Sequence, residues 1–557
     1  MQWFGTCLVI YGLIRIVFWS QAFPNPDEAY YWLWGQHLDW SYYDHPPLMV
    51  WLQQGISYGL HQIFGANFTM TNWNLRGLNL ISNSLFFWTY WRILQRLYPQ
   101  WSKSQMQRGM LLVVLCIGGA PMYWLMLSLA WHDHVMITIA LIGAEQFWVF
   151  TIEWLENGRG SSWRLYLAGI LLGLASLAKY NAIFMTLGLC GAVLTTKQLR
   201  PLWRDLRFWL AGILLVAMLS PVLYWNLQNS FLSFQFYATR SVDMGPPLQR
   251  LLEPIGFLVI SLLMLSPINS FFFWQIGRNI KRGSFWSNTA ATDSRTNAIA
   301  PTQQIYQTFA LWTFALPTVA LSLISMVSTA LYYWNITAYL LLFPLIPQYL
   351  GLAAPSNDAK ARRMGVFWTG QGLGLLFAAL FCINSVLLPI SALWGKNGDL
   401  DNRMLYGWTE IVPMVKKERN ALQTEGKISP ETPIFTTDYR TAAALAYSLA
   451  MDQPDQYFNQ KKQLPDVNAA ISTRISQFYV WDLRRKDANP VPADGNALVI
   501  YDDWHPLSEV KIENFENVTT RQVLLVKRFG IPIKTYTLAW GQNWLGQNQL
   551  GKSKYRS

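Results

Sequence analysis

Acidic side chains are scarce over most of this chain. Of 31 Asp and Glu residues, 13 lie in the first 394 positions and 18 in the remaining 163. An unpaired carboxylate in hydrocarbon is expensive, so avoidance sustained this long means that lipid surrounds the backbone. The whole chain is 52% hydrophobic and 13% charged, where a soluble protein carries about 25% charged residues. A string of soluble domains is excluded. The pattern is that of a polytopic α-helical membrane protein with a soluble tail, divided into residues 1–394 and 395–557.

Apolar runs near bilayer-spanning length occur at Trp3–Ala22, Leu75–Trp91, Met110–Leu129, Val135–Ile152, Phe208–Tyr224, Ile255–Phe273, Thr308–Thr329, Ile336–Leu350 and Met364–Leu393. The first run lacks a basic start and a small-residue cleavage site, so it reads as a retained span rather than a signal peptide. Leu165–Thr196 is ambiguous: one long span, or two short ones broken at Lys179-Tyr180-Asn181.

Basic residues decide between these, because short cytoplasmic loops accumulate them. The first 394 residues hold 22, of which 17 fall in five clusters. These are Arg92/Arg96/Lys103/Arg108, Arg159/Arg164, Lys197/Arg200/Arg204/Arg207, Arg278/Lys281/Arg282/Arg295 and Lys360/Arg362/Arg363. All five share one side only if Leu165–Thr196 enters the membrane and returns at Lys179, as two short crossings or a re-entrant hairpin. The expectation is about eleven membrane segments, with a cytoplasmic N-terminus and the tail outside. The formal net charge of +12 is then a topology signal, and no nucleic-acid partner is implied. The four cysteines, Cys7, Cys116, Cys190 and Cys382, all sit in apolar runs without ligand spacing, which suits small buried residues.

Topology then filters the remaining charges. Arg15 lies inside the first span, where a paired or functional role is the default reading. Arg76 falls at the outer edge of the second span, and Lys179, Arg240 and Arg250 in outer loops. Asp27, Glu28, Asp39, Asp44, Asp133, Asp243 and Glu253 join them. Charges of both signs at one membrane face suit chemistry on a head group whose tail stays in lipid. The first outer loop, residues 23–74, carries Pro26-Asp27-Glu28-Ala29-Tyr30-Tyr31-Trp32 and then Tyr42-Tyr43-Asp44-His45-Pro46-Pro47-Leu48. Asp27 follows a proline at a helix start, so it is either a capping residue or one of a cluster of catalytic ionisable groups. The aromatic residues fit an interfacial belt and equally a sugar-stacking surface. Asp133 lies in Trp131-His132-Asp133-His134, which has competent metal ligands, although adjacent residues on a helix do not close on one ion. A structural role for at least one of these histidines is the better reading. Lys179 is a snorkelling anchor or a phosphate contact. Glu145, inside a span, needs a partner that the sequence does not name. His37, His61 and His505 show no partner pattern.

The paired motif Asp-Glu-Ala-Tyr-Tyr-Trp and Asp-His-Pro-Pro-Leu in a first outer loop resembles prokaryotic members of glycosyltransferase family 39. These are relatives of protein O-mannosyltransferases and lipid A aminoarabinose transferases in the C-type glycosyltransferase superfamily. Asp133, Gly173–Asn181, Pro221–Asn226 leading to Arg240, Trp334-Asn335, Arg403–Trp408 and Asp438-Tyr439-Arg440 extend the resemblance along nearly the whole chain. The resemblance implies a C-type fold and transfer of a sugar, with inversion, from a polyprenyl-phosphate donor to a lipid, glycan or protein acceptor at the outer face of the plasma membrane. It implies Asp27 as general base on the acceptor hydroxyl, with Glu28 and Asp133 as supporting acids. Asp44, His45, Lys179, Tyr180, Arg240, Tyr30, Trp334 and Asn335 are the implied substrate and phosphate contacts. His45 stands where the aminoarabinose transferases have a lysine, so their donor and acceptor do not transfer directly. Some C-type enzymes use a divalent ion with an Asp-any-Asp pattern. Here Asp27 and Glu28 are adjacent, and the expectation is a transferase without metal or other cofactor.

The tail has ordinary composition, with 21 basic and 18 acidic residues. Helices are expected around Tyr406–Leu422 and Tyr439–Ala450, and strands at Pro433–Thr437, Gln477–Trp481, Ala497–Tyr501, Val523–Phe529 and Lys534–Trp540. This is a small extracytoplasmic α/β domain. Asp502-Asp503-Trp504-His505 reads as an exposed turn, Gly541–Ser557 as a loose terminus and Ser284–Thr302 as a polar loop. Two other functions compete. A lipid-linked sugar flippase calls for polar residues at mid-bilayer and symmetric halves, and neither is visible. A non-enzymatic envelope receptor would leave the first-loop carboxylates dispensable.

Overall fold

The computed structural model describes residues 2–65, 69–240, 247–286, 301–328, 330–353, 357–394, 401–454, 467–469, 471–472, 475–483, 495–507 and 515–545. Asp243, most of the Ser284–Thr302 loop, residues 546–557 and the side chain of Arg240 lie outside them.

The apolar runs become helices α1 (Gln2–Gln21), α4 (Asn72–Leu97), α5 (Lys103–Gly118), α6 (Pro121–Ser128), α7 (His132–Asn157), α8 (Ser162–Ala178), α9 (Ile183–Thr195), α10 (Leu206–Ala217), α11 (Ser220–Gln228), α13 (Pro247–Met264), α14 (Pro267–Lys281), α15 (Pro301–Ile324) and α17 (Asp358–Val386). Between them lie α2 (Pro26–Gln36), α3 (Leu48–Phe64), α12 (Leu232–Arg240) and the four-residue α16 (Ile346–Tyr349). Four of these helices are long and apolar enough to cross a membrane: α1, α7, α15 and α17. The pairs α5/α6, α10/α11 and α13/α14 reach that length together but bend by 87°, 43° and 103°, giving up to seven spans among the described residues. Each second helix carries a proline in its first turn, Pro121, Pro221 or Pro267, where a missing amide is tolerated while continuation of the previous helix is not. At the sharpest bend Ser266 takes a left-handed φ of 86°.

Two expectations are refined here. Leu165–Thr196 is two helices, α8 and α9, with Lys179 in extended backbone at the break. Ile336–Leu350 is not one spanning helix. It folds as 3₁₀ turns over Tyr332–Tyr339 and Phe343–Leu345 followed by α16. Pro344 and Pro347 remove amides that a helix needs. Tyrosine hydroxyls satisfy the freed carbonyls: Tyr123 donates to Ile336 (2.7 Å), Tyr90 to Leu340 (2.9 Å) and Tyr98 to Pro344 (3.0 Å). Irregular backbone among apolar segments persists only with such internal partners.

The chain divides into two compact units, one of residues 1–15, 45–49 and 78–379, the other of residues 16–44, 50–77 and 380–557. In the first, small residues let helix backbones touch. A Cβ on Gly169 would stand 2.3 Å from the Ala211 carbonyl oxygen, and one on Gly188 2.7 Å from the Thr313 Cα, so α8 packs on α10 and α9 on α15 with glycine at the crossing. Glu145 finds its partners in Arg92 (3.0 Å) and Arg96, a buried acid neutralised by the cluster assigned to the cytoplasmic side. Arg15 lies over the Trp124 ring at 4.5 Å.

The second unit holds a five-stranded sheet in the order β2-β1-β3-β5-β4. Its strands are β1 (Ile434–Thr436), β2 (Val467–Asn468), β3 (Ala497–Asp502), β4 (Phe515–Arg528) and β5 (Ile531–Trp544). β1 pairs in parallel with β2 and β3, while β5 runs antiparallel to β3 and β4. Phe529 and Gly530, both at positive φ, make the two-residue turn that suits the twist of the β4–β5 hairpin. The core is Phe435, Ile471, Ala497, Val499, Phe515 and Ala539. β5 includes Gly541–Trp544, which correct the expectation of a loose terminus from Gly541 onward. Helix α18 (Trp408–Thr424) starts at Gly407, whose φ of 87° only glycine adopts cheaply and where a Cβ would meet Tyr536 and Val526 at 2.6 Å. Helix α19 (Tyr439–Asp452) packs on α2, with Tyr447 edge-on to Trp32 at 5.1 Å. The stretch Gln477–Trp481, expected as a strand, is helix α20 (Gln477–Leu483). One helical turn places Gln477, Phe478 and Trp481 on a common flank, where Phe478 meets Tyr30 and Trp481 meets His37. Burial on that flank overrides β propensity.

Candidate functional site

In the second unit the site begins at the N-terminus of α2. Asn25 caps the helix, accepting from the Asp27 amide (3.0 Å), and the Glu28 carboxylate returns to the Asn25 amide (2.8 Å). This capping box follows from Asn-Pro-Asp-Glu, with proline at the first helical position. Glu28 is fully buried and pairs with Arg76 through two hydrogen bonds, Nε to Oε1 at 3.0 Å and Nη2 to Oε2 at 2.8 Å. The other arm of Arg76 donates to the carbonyls of Phe18, Trp19 and Ala22, which end α1. Arg76, near the start of α4, is the clasp between α1 and α2, and Glu28 is its counter-ion. Adjacent helical residues point about 100° apart, so fixing Glu28 inward turns the half-buried Asp27 elsewhere.

The next turn of α2 packs against α19. Tyr30, one turn after Asp27, is buried, and its ring stands 4.7 Å from Tyr439. The Tyr30 hydroxyl accepts from the Gln477 amide at 2.6 Å, which ties α2 to α20. Burial first, then the charges of Asp27 and Asp44, hold the Tyr439 phenol well above its ordinary range. Tyr439 therefore stays protonated at any physiological pH. Arg440 follows. Its Nε donates to Asp438 (3.0 Å), Nη2 meets His505 Nε2 (3.0 Å) and its guanidinium lies 4.1 Å above the Trp504 ring. Burial works against this charge, but Asp438, Tyr439 and Asp27 outweigh it and keep Arg440 above its usual range.

The first unit holds a second constellation. Asp133, in the first turn of α7, receives both bonds of the Lys179 ammonium, at 2.8 and 2.7 Å. Lys179 also lies 4.7 Å from the Tyr333 ring centre. The sequence shows no charge near Lys179; the fold supplies one from 46 residues away. The His45 ring lies tilted against His132 (ring centres 4.7 Å apart), and its Nδ1 is 3.4 Å from the Tyr237 hydroxyl. Tyr237 in turn meets Tyr180 edge-on at 5.3 Å. Asn181 donates to the Trp334 carbonyl (3.0 Å). Asn335 is buried and spends its amide on Thr318 (3.0 Å) and Tyr339 (2.9 Å), which places it in the packing of the 3₁₀ segment. His134 shares a 2.7 Å hydrogen bond with Ser82. Among the described residues, no three His, Cys, Asp or Glu side chains are grouped as a metal site.

Three comparisons with known proteins agree. Residues 44–225 match the family model described as dolichyl-phosphate-mannose-protein mannosyltransferase. The lipid A galacturonosyltransferase RgtD of Rhizobium johnstonii is 24% identical over 457 residues, covering 79% of this chain and 83% of that one. The crystal structure of ArnT from Cupriavidus metallidurans bound to undecaprenyl phosphate superposes with a TM-score of 0.57, at 14% identity, over 96% of this chain and 98% of that one. That likeness concerns the fold. The chain is thus similar to glycosyltransferases in sequence and to ArnT in fold.

The family match opens at Asp44 and takes in His45, Asp133, Lys179 and Tyr180, whereas Asp27, Glu28 and Tyr30 stand just before it. Sequence reasoning did not single out Tyr439 and Arg440 as site residues. Their signal was the Asp438-Tyr439-Arg440 motif, whose meaning depends on α19 packing against α2. Tyr237 and Tyr333 were hidden among many interfacial aromatics. Of Asp502-Asp503-Trp504-His505, expected as an exposed turn, Asp503 is exposed in a bend but Asp502 is buried. Asp502 is 1% exposed, pairs with Lys534 at 2.8 Å and accepts the His505 amide at 2.8 Å.

Proposed function

We propose that this protein is an inverting glycosyltransferase that moves a sugar from a polyprenyl-phosphate donor to an envelope acceptor outside the membrane, with Asp27 as general base. The observation that carries the reading is the half-buried Asp27 carboxylate, held at a capped helix start whose other acid is committed to Arg76. The acceptor hydroxyl loses its proton to Asp27 as its oxygen attacks the anomeric carbon. The bond from that carbon to the phosphate oxygen breaks on the opposite face, and polyprenyl phosphate departs. A positioned base contributes about 10²–10⁴-fold to such a step, and a fixed cation stabilises the charge growing on the phosphate. Lys179 is the candidate for that cation, shared between Asp133 and the phosphate, with His45 as a neutral donor and Arg240 as a second cation. A lipid acceptor is favoured because RgtD is named for transfer to lipid A, while the undecaprenyl phosphate bound to ArnT fits a polyprenyl-phosphate donor.

The reading extends to about eleven membrane segments, with the N-terminus in the cytoplasm and residues 395–557 outside the inner membrane. It also holds that no divalent ion is needed, so transfer should proceed at full rate in excess EDTA. The direct test incubates the purified protein with a radiolabelled polyprenyl-phosphate sugar and envelope lipid extract. A labelled product with inverted anomeric configuration is expected. Transport of the donor across sealed vesicles with no covalent product would point to a flippase instead.

A further inference from the structure

The turn of the β4–β5 hairpin has a composition from which a water-facing fold gains nothing. It is made by Phe529 and Gly530, at φ of 52° and 80°. Left-handed backbone is disfavoured for residues with a Cβ. Glycine escapes the penalty, and Asn or Asp pay less of it, which is why Asn-Gly is common in such turns. Phe529 holds that position instead, and its ring is 78% exposed. Leaving a phenyl ring in water adds a second cost to the first. Lipid around the ring would remove the second cost.

The place of the tip in the fold supplies that lipid. Ile533, three residues beyond Gly530, is buried with Leu405 and Tyr406, and Leu388 packs against this cluster. The Tyr536 hydroxyl donates to the Tyr406 carbonyl (2.6 Å), and the Tyr406 hydroxyl to the Asn384 carbonyl (2.9 Å). Asn384 lies in the last turn of α17, a helix long and apolar enough to cross a membrane. The hairpin is therefore fastened to the end of that span. Leu380, Ile383 and, just past the helix, Leu387 are exposed at the same end, as side chains facing acyl chains would be. Lys527, two residues before Phe529, is exposed as well. Arg528 is matched by Glu410 (2.7 Å), so Lys527 leaves the tip with a net positive charge, which suits anionic lipid. An aromatic ring beside a lysine is also the pairing that membrane interfaces favour.

We propose that the β4–β5 hairpin anchors the α/β segment to the bilayer: Phe529 enters the lipid boundary at the C-terminal end of α17, and Lys527 meets the phosphates of anionic lipids there. The inference rests on α17 crossing the membrane and is independent of the transfer reaction. The anchor adds lipid contact to the hydrogen bonds that already hold the hairpin to α17.

The test uses the full-length protein, its four cysteines replaced by alanine, in vesicles of phosphatidylethanolamine and phosphatidylglycerol. A spin label on Pro532→Cys, an exposed position that leaves Phe529 in place, reports collisions with oxygen, which concentrates in lipid, and with a water-soluble nickel chelate. Labels on Leu376→Cys and Glu431→Cys set the limits. Leu376 is exposed about 15 Å before the end of α17, near the bilayer centre. Glu431 precedes β1 at the opposite end of the sheet from the hairpin turn. Oxygen collisions should exceed nickel collisions at Pro532, as at Leu376 and opposite to Glu431. Phe529→Asn keeps the turn, because Asn-Gly favours it, so its melting temperature should equal or exceed that of wild type. Its ratio of docked to undocked label, read from the two components of the spectrum, should nevertheless fall about tenfold. Lys527→Gln should lower that ratio about fivefold, and only where phosphatidylglycerol is present. Nickel accessibility at Pro532 equal to that at Glu431, or an unchanged ratio in Phe529→Asn, would overturn the anchor. A Leu376 label in water would overturn the span, and the anchor with it.

Discussion

Glu28 and Asp27 are neighbours in sequence with different physical fates. Glu28 closes a capping box and a fully buried ion pair with Arg76, and Asp27 is left at a half-buried edge. Removing one member of a buried pair strands the other charge, at a cost of about 3–5 kcal/mol, whereas replacing both by apolar residues costs far less. Glu28→Gln is therefore expected to destabilise the protein severely, and Glu28→Met with Arg76→Met to recover most of the loss. Thermal melting in detergent reads both, and equal damage in the single and double variants would contradict the pairing. Lys179 poses a different question, since its charge is already met by Asp133. If it also stabilises the leaving phosphate, Lys179→Met should lower kcat by about 10²–10³-fold, the usual effect of losing one preorganised stabilising contact. A change confined to KM would instead assign it to ground-state binding of the donor.

Helix crossings follow where glycine removes a side chain. Gly169→Val drives a methyl group into the Ala211 carbonyl, whereas a methyl on Gly212, in the facing helix α10, would meet nothing within 4 Å. Overpacking of this kind costs about 1–3 kcal/mol. Gly169→Val should lower the melting temperature clearly, and Gly212→Ala should leave it unchanged. Most elements were legible in the sequence: apolar runs gave the helices, and Lys179 marked the break between α8 and α9. Three kinds of feature were not legible. The 336–350 run is apolar but carries Pro344 and Pro347, and its irregular backbone depends on tyrosines from distant helices. Gln477–Trp481 has strand-like composition yet folds as α20, because its contacts with Tyr30 and His37 outweigh local preference. The partners of Lys179, Glu28, Glu145 and Asp502 lie 46, 48, 49 or 53, and 32 residues away, and no local pattern names them. The first-loop motif identified Asp27 and Asp44 as candidates, but not that α2 packs against α19.

At the scale of the whole chain, the scarcity of acids marks the lipid-facing portion, and five of the 13 acids there, Glu28, Asp133, Glu145, Glu153 and Asp205, form ion pairs with arginine or lysine. The α/β segment follows another rule, with its stability tied to pH through Asp502. Burial raises the pKa of this acid, but Lys534 more than offsets that and holds it below the ordinary carboxylate range. A depressed acid stabilises the fold at pH values above its unfolded pKa, and the benefit is lost as pH falls through the folded value. Asp503, raised by burial, contributes with the opposite sign and from a more exposed position. Limited proteolysis of the full-length protein in detergent should thus show the 401–545 region opening as pH drops below about 4. Asp502→Asn, which leaves Lys534 buried without its counter-ion, should open it at neutral pH as well.

The central claim is that Asp27 takes the proton of the acceptor hydroxyl. Its most direct test is single-turnover transfer from a labelled polyprenyl-phosphate sugar by Asp27→Asn, with donor binding measured on the same preparation. The predicted result is unchanged donor affinity and a rate reduced about 10²–10⁴-fold. Transfer at the wild-type rate by a variant that binds donor normally would contradict the claim.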